Sequence, residues 1–374
     1  MTLRFLTAGE SHGPALIGIL EGMVAGLQLD LDGIDRDLRR RQGGYGRSGR
    51  QVIEKDHAEF LGGLTRDHVT TGGPIAIRIE NRDWKNWKDK IPPVMSVPRP
   101  GHADLAAGLK YRYDDLRSAL ERASARETAT RVALGAVARQ FLAHFGVVVA
   151  CQVISIGDVT GPAGDLSSED VRNTVEESPV RTANAKAEAE MIACIDRTRR
   201  AKDTVGGVIS IEAFRVPIGL GSHVQWDRKL DAQLAAAMMS IQAIKGVEIG
   251  AGFEGSRTPG SHLHDPILPT GRPKDVTRSS NNAGGLEGGV TNGKPIVVKI
   301  AMKPISTLLS GMDSVDLFSG EAKRAEYQRS DICAVPAAGV VGEAMMCLVL
   351  AGAFLEKFGG DSVGEVEEHW RTNQ

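Results

Sequence analysis

Two histidines in this sequence stand among glycine and small residues, where a ligand could reach them. In Gly9-Glu10-Ser11-His12-Gly13 the imidazole follows a short apolar run at 3–6. Its ordinary pKa, about 6.5, suits it to proton transfer near neutral pH. The same residues also read as a turn whose imidazole caps backbone carbonyls. A Ser-His nucleophile pair is disfavoured, because neighbours on a strand point apart and no G-x-S-x-G elbow is present. In Arg99-Pro100-Gly101-His102-Ala103-Asp104, Pro and Gly shape a turn with His102 at its tip; a plain surface turn reads equally well.

Cationic residues cluster elsewhere. Arg36, Arg39, Arg40, Arg41, Arg47 and Arg50 face a single acid, Asp37, between residues 36 and 50. Guanidinium forks suit phosphate and carboxylate, and the glycine-rich 42–46 lets backbone approach a ligand. A solvated helix end and a nucleic-acid patch are the other readings. Arg122-Ala123-Ser124-Ala125-Arg126 opens an expected helix, where free N–H groups favour anions. A well-capped helix with exposed arginines is its plain alternative. Residues 282–289, Lys303-Pro304-Ile305-Ser306-Thr307 and Arg329-Ser330-Asp331 together could cradle a further phosphate. His262-x-His264 with Asp265 lacks a third ligand, so no metal is expected.

Hydrophobic patterning supplies the elements that must position these groups. Strands are expected at 3–6, 75–80, 147–156, 206–213, 247–249 and 295–302, and helices at 15–24, 32–41, 124–145, 230–244 and 335–358. Ser124 and Glu127 match a capping box. Gly146 and Gly246 are expected to stop the helices before them. Helix–Gly–strand thus occurs at 124–156 and 230–250, which suggests an internally pseudo-duplicated α/β unit. Residues 81–104 form a long loop, expected to be a lid or an interface. The expected fold class is α+β, a layered αβ sandwich. No P-loop follows a strand, nor does G-x-G-x-x-G.

The 374 residues carry 45 Lys and Arg against 47 Asp and Glu, for a net charge of −2. A generally basic nucleic-acid coat is thereby excluded. Aromatics are only 5%, which argues against a base-stacking platform. The 44 glycines follow no collagen period. Cys151, Cys194, Cys333 and Cys347 form no C-x-x-C and are expected as buried thiols. The apolar 335–358 contains Pro336, Glu343 and glycines, and reads as a core helix, with no membrane span. No signal peptide is visible at residues 1–20, so the chain is expected to be soluble and cytoplasmic.

Together these motifs make the chain resemble the chorismate synthase family. The resemblance rests on GESHGPALIGILEGMVAG (9–26), LERASARETATRVALGAV (120–137) and RSDICAVPAAGVVGEAM (329–345). RRRQGGYGR, RPGHAD, SIQAIKGVEIG, NNAGGLEGG and KPIST stand between them, so it spans nearly the whole chain as one catalytic domain, 1–374. The loop at 81–98, with Trp84 and Trp87, is similar to that of the longer-loop bacterial members.

The resemblance implies a lyase with a β-α-β sandwich fold, usually a homotetramer. It would convert 5-enolpyruvylshikimate 3-phosphate to chorismate, the last common step of aromatic amino-acid biosynthesis. The reaction is an anti-1,4-elimination of phosphate that needs reduced FMN without net redox change. By resemblance, His12 protonates the departing phosphate and His102 acts near the flavin N1. Asp331 joins a proton relay at N5, and Ser11 and Ser124 assist. Arg122, Ala123, Ser124, Gln242, Ala243, Gly288, Lys303, Pro304, Ile305, Ser306, Thr307 and Arg329 match FMN-binding positions. Arg41 and Arg47 would contact the substrate, or a nicotinamide nucleotide where one is used, and Arg126 would hold substrate anions. NADPH is a possible reductant; with no nicotinamide fingerprint, an external flavin reductase is favoured. A flavin oxidoreductase and an RNA-binding module are the rival classes, without the full set of motifs to support them. No nucleic-acid or membrane partner is expected.

Overall fold

Residues 3–49, 53–272, 275–325 and 330–373 are described by a computed structural model. Two antiparallel sheets dominate it. The first orders β1 (Arg4–Ala8), β2 (Ala15–Glu21), β4 (Ile75–Glu80) and β3 (Glu59–Gly62) as β1-β2-β4-β3. The second contains β5 (Val148–Ile156), β6 (Val159–Thr160), β7 (Gly207–Phe214), β8 (Ile244–Ile249) and β9 (Ile296–Met302), in the order β6-β5-β7-β9-β8.

The stretch expected as a helix at 15–24 is instead strand β2 followed by a turn. Its period is two: Leu16, Gly18 and Leu20 face inward, while Ile17 and Ile19 face the other side. Pairing with β4 buries Ile75, Ile77 and Ile79 on the same side. That alternation fits a half-buried sheet better than a helix.

Helix α1 (Leu31–Gln42) carries Asp32 in its first turn and Arg39, Arg40 and Arg41 in its last, as the macrodipole favours. Short helices α2 (Asp104–Tyr111) and α3 (Arg117–Ala123) precede a break. The expected helix 124–145 is thus two pieces, a 3-10 turn Ala125–Glu127 and α4 (Thr128–His144), with Ser124 in extended conformation before them. Ser124 does cap, accepting from the Arg126 N–H. Glu127 completes no capping box, because its carboxylate is taken by Thr7, Arg131 and Gln242. Helices α5 (Glu169–Glu177) and α6 (Ala185–Arg200) occupy the polar excursion before β7.

Helix α7 (Leu230–Met239) ends five residues earlier than expected. Ala243 takes a positive φ of 66°, turning the chain directly into β8, and Gly246 lies within that strand. The two helix–strand runs end in one sheet, but their helices pack differently. Helix α4 lies on the first sheet and on α8 (Val335–Phe358), whereas α7 lies on β8 and α8. A terminal helix, α9 (Val363–Thr372), begins with a capping box from Ser362 and Glu365.

Helix α8 is long and apolar enough to cross a membrane, yet 89% of its most apolar window is buried in the core. One side packs on β5 and β7, the other on α4. The α4–α8 approach is close at Gly135, where a Cβ would sit 2.5 Å from that of Ala344. All four cysteines are buried thiols. One apolar cluster runs from Leu16 to Val366 and includes both inner sheet faces.

Candidate active site

Several of these elements end around one cavity of about 810 Å³. The β1–β2 connection brings Ser11 and His12. Gly9 permits the turn at a φ of +104°, and a Cβ there would lie 2.5 Å from the Ala15 carbonyl oxygen. Asn81, just past β4, braces the loop by donating to the Glu10 and Gly13 carbonyls. The His12 Nδ1 lies 2.7 Å from Glu121 Oε1, and its ring centroid is 4.2 Å from that of Trp87.

His102 enters from the turn before α2. Its Nδ1 is 2.5 Å from Asp104 Oδ1. Burial works to raise the Asp104 pKa, but His102 and Arg99 outweigh it and hold the carboxyl well below the ordinary range. Asp104 is therefore an ionised acceptor beside His102 Nδ1, and the guanidinium of Arg99, a donor only, lies 3.0 Å from the same nitrogen. Arg99 also donates to Asp104 through its backbone N–H and its guanidinium.

The cationic wall comes from the end of α1, the segment after it and the 3-10 turn before α4. Arg41 donates to Asp56 Oδ2 at 3.0 Å, and Arg126 grips both oxygens of the same carboxylate at 2.7 and 2.8 Å. Burial pushes the Asp56 carboxyl up, but Arg41 and Arg126 pull it below its usual value. Arg126 spends its remaining donors on Asn81 and the Glu80 carbonyl. Burial lowers the Arg41 pKa to about 10, with Asp56 opposing and Arg126 and Arg47 adding to the fall. Arg47 reaches Asp331 Oδ2 at 3.0 Å, while the Ser48 N–H donates to Oδ1 at 2.6 Å. Contact of Gly46 with Cys333 and Ile332 brings these two segments together.

The opposite wall comes from the turn into β8 and the chain after β9. Gln242 donates to Glu127 at 3.0 Å, while its buried Oε1 has no partner among the described residues. Arg41 Nε and Arg47 Nε are likewise buried and unpartnered. Lys303 donates to the Gly101 carbonyl at 2.9 Å, and burial, then Lys245, lowers its pKa. Ile305, Ser306 and Thr307 follow along the wall. Six basic side chains (Arg41, Arg47, Lys90, Arg99, Arg126, Lys303) line the cavity against three carboxylates (Glu54, Asp83, Asp331), and Asp56 and Asp104 pair with Arg41, Arg126 and Arg99 from behind, which leaves a surplus of one cation. Such a surplus selects anions.

Of the residues singled out from sequence, Ser11, His12, Arg41, Arg47, His102, Ala123, Ser124, Arg126, Gln242, Ala243, Lys303, Ile305, Ser306, Thr307 and Asp331 line this cavity. Arg122 points elsewhere, to the Thr7 carbonyl and hydroxyl. Pro304 follows Lys303 without lining the space, and Gly288 sits in the turn between Leu286–Glu287 and Val290–Thr291. Arg50 and Arg329 lie outside the described residues. Sequence reasoning missed Asp56 and Glu121. Glu121 falls inside the quoted motif at 120–137, but only the fold shows that it meets His12.

The family model for chorismate synthase matches residues 3–355. A chorismate synthase from Geobacter metallireducens is 51% identical, over 98% of this chain and 97% of that protein. One from Aquifex aeolicus is 51% identical, over 98% and 96%. A crystal structure of a chorismate synthase aligns with a TM-score of 0.82 at 44% identity, covering 100% of this chain and 97% of that one.

Proposed function

The chain belongs to the chorismate synthase family, which makes chorismate in the shikimate pathway, and we propose that it acts as a lyase by anti-1,4-elimination of phosphate from 5-enolpyruvylshikimate 3-phosphate with reduced FMN bound. One observation carries this reading: under-neutralised arginines and two carboxylate-paired imidazoles line the same cavity. A substrate with one phosphate and two carboxylates suits that surplus of fixed cations.

The residues present fit a flavin. Ala123, Ser124, Ala125 and Ser306 keep part of the wall small. Ala243 holds a conformation costly for a residue with a Cβ, as functional sites often do. The unpartnered Gln242 Oε1 is an acceptor awaiting a donor. Ala123, Ser124, Gln242, Ala243, Lys303, Ile305, Ser306 and Thr307 would hold the group; Arg122, Pro304, Gly288 and Arg329 join them by resemblance alone. When bound, reduced FMN supplies transient electron donation to the allylic system of the substrate, without net redox change.

The protein's own residues do the rest. Arg41 and Arg47 hold substrate anions, with Arg126 behind them. His12 gives a proton to the departing phosphate, which leaves with the C–O bonding pair, and the C6 hydrogen of the substrate, lost overall as a proton, would pass to Asp331. His102 would manage charge near the flavin N1, and Asp331, held by Arg47 and Ser48, would relay the proton at N5. The hydroxyls of Ser11 and Ser124, 3.1 Å apart, are polar helpers. The same reading takes the chain as one cytoplasmic catalytic domain with sheet–helix–sheet layering, working as a homotetramer. It takes reducing equivalents from an external flavin reductase, with NADPH as the alternative reductant.

The deciding experiment is an anaerobic incubation with 5-enolpyruvylshikimate 3-phosphate and dithionite-reduced FMN, with phosphate and chorismate both measured. Equal release of the two is expected; no chorismate, or consumption of a reductant matched to product, overturns the reading. His12→Ala and His102→Ala should each lose at least about tenfold in turnover while still binding FMN, since a positioned acid or base contributes about 10²–10⁴-fold. Substituting NADPH for dithionite tests reduction by the protein itself.

A further inference from the structure

Glu121, in the last turn of α3, lies against the loop that carries His12. Three hydrogen bonds join them across 109 residues of chain. The Ser11 N–H donates to the Glu121 backbone carbonyl at 3.3 Å. The His12 N–H donates to Oε2 at 2.7 Å, and the His12 Nδ1 lies 2.7 Å from Oε1. One carboxylate therefore grips both the backbone and the ring of the same residue. Its side chain is 11% exposed and that of His12 20%, so water competes little for these contacts.

The chemistry of the pair is directional. An ionised carboxylate oxygen only accepts, so the hydrogen sits on Nδ1, and Nε2 is the atom through which the ring exchanges a proton with the cavity. Trp87 covers the imidazole from a second side, its plane tilted 39° to the ring. The indole is itself anchored, donating from Nε1 to Asp83 Oδ2 at 3.2 Å.

We propose that Glu121 is a positioning residue for proton transfer at His12, fixing the imidazole tautomer and aiming Nε2 at the departing phosphate. The proposal rests on the reading of His12 as the proton donor. Glu121→Gln keeps the side chain's size but substitutes an amide, which can donate as well as accept and no longer dictates the tautomer. Coupling between two residues that act as one unit shows as non-additivity in a double-mutant cycle.

The test compares wild type, Glu121→Gln, His12→Ala and the double variant with reduced FMN and 5-enolpyruvylshikimate 3-phosphate, with melting temperatures recorded alongside. Glu121→Gln is expected to lower kcat about tenfold or more, with KM within about twofold. In the His12→Ala background the same change should have almost no further effect. Equal losses of kcat in both backgrounds would mean that Glu121 merely supports the fold, and so would overturn the proposal. A wild-type kcat in Glu121→Gln overturns it too. Wild-type turnover in His12→Ala overturns the reading of His12 itself, a distinct result. Should the Gln variant not fold, Glu121→Asp, which keeps the charge on a shorter stem, goes through the same cycle with the same expected pattern.

Discussion

Arg40 and Arg41 leave the same last turn of α1 in two directions. Arg40 enters a network between α1, α4 and α8, where it meets Asp37 at 2.9 Å, Glu343 at 2.8 Å and Glu176 at 2.5 Å. Arg139 and Arg181 complete that network, so three cations meet three carboxylates. Burial works to lower the Arg40 pKa, but Glu343, Glu176 and Asp37 outweigh it and hold it well above the ordinary value. Arg41 is more buried, 5% exposed against 15%, and among the described residues shares Asp56 with Arg126; its pKa falls to about 10. The difference lies in the partners. A guanidinium whose neighbours balance it holds helices together, and one left under-compensated attracts an anion from solution.

The contrast is sharpest at Glu343. Replacing it with Gln leaves Arg40 and Arg139 buried with too little opposing charge, which costs about 3–5 kcal/mol. Urea unfolding should show that loss, while KM for substrate stays within about twofold of wild type. The carboxyl's pH dependence has a definite sign. Burial would raise its pKa, but Arg40 and Arg139 hold it at about 2, against an ordinary 4.5. Its contribution to stability is whole above about pH 4.5 and is lost as pH falls toward 2. The wild-type protein should therefore lose stability across that window, and the Gln variant should show a flatter acid limb.

A smaller effect is expected on the cavity side. Arg41→Met should raise KM about tenfold or more, equivalent to about 1.4 kcal/mol of binding. Its unfolding free energy should move by about 1 kcal/mol, the scale of an ordinary hydrogen bond. Matching shifts of KM and stability in this variant and in Glu343→Gln would erase the distinction. The smallest effect is that of salt. Raising ionic strength shortens screening to below about 8 Å and should raise KM for the anionic substrate a few fold. Glu343, the centre of the network, is 1% exposed, so the melting temperature should respond less than KM does.

Much of the site was legible in sequence because its chemistry is local. Ser11-His12, His102 and Lys303–Thr307 each sit in a short run whose glycine, proline or hydroxyl neighbours signal a turn. Helix α1 was legible through its charge order, and α8 through its apolar length. The failures have a shared physical cause. The Ala15–Leu20 part of β2 is apolar on both faces, which hides its period until β4 pairs with it. The end of α7 depends on Ala243 adopting a left-handed turn, a conformation that its residue type does not announce. Asp56 and Glu121 gain their meaning from partners 70 and 109 residues away. Only the tertiary fold supplies those partners.

Gly135 has a mechanical consequence. Where α4 and α8 touch backbone to backbone, no side chain is left to change rotamer and let one helix slip past the other. Both helices begin at the cavity, one with Thr128 and the other with Ala337 and Ala338 on its wall. The wall that these two helices give the cavity is thus a fixed anvil. Trp87 and Lys90, on a turn tied to Asp83, line the cavity without any such backbone-to-backbone lock.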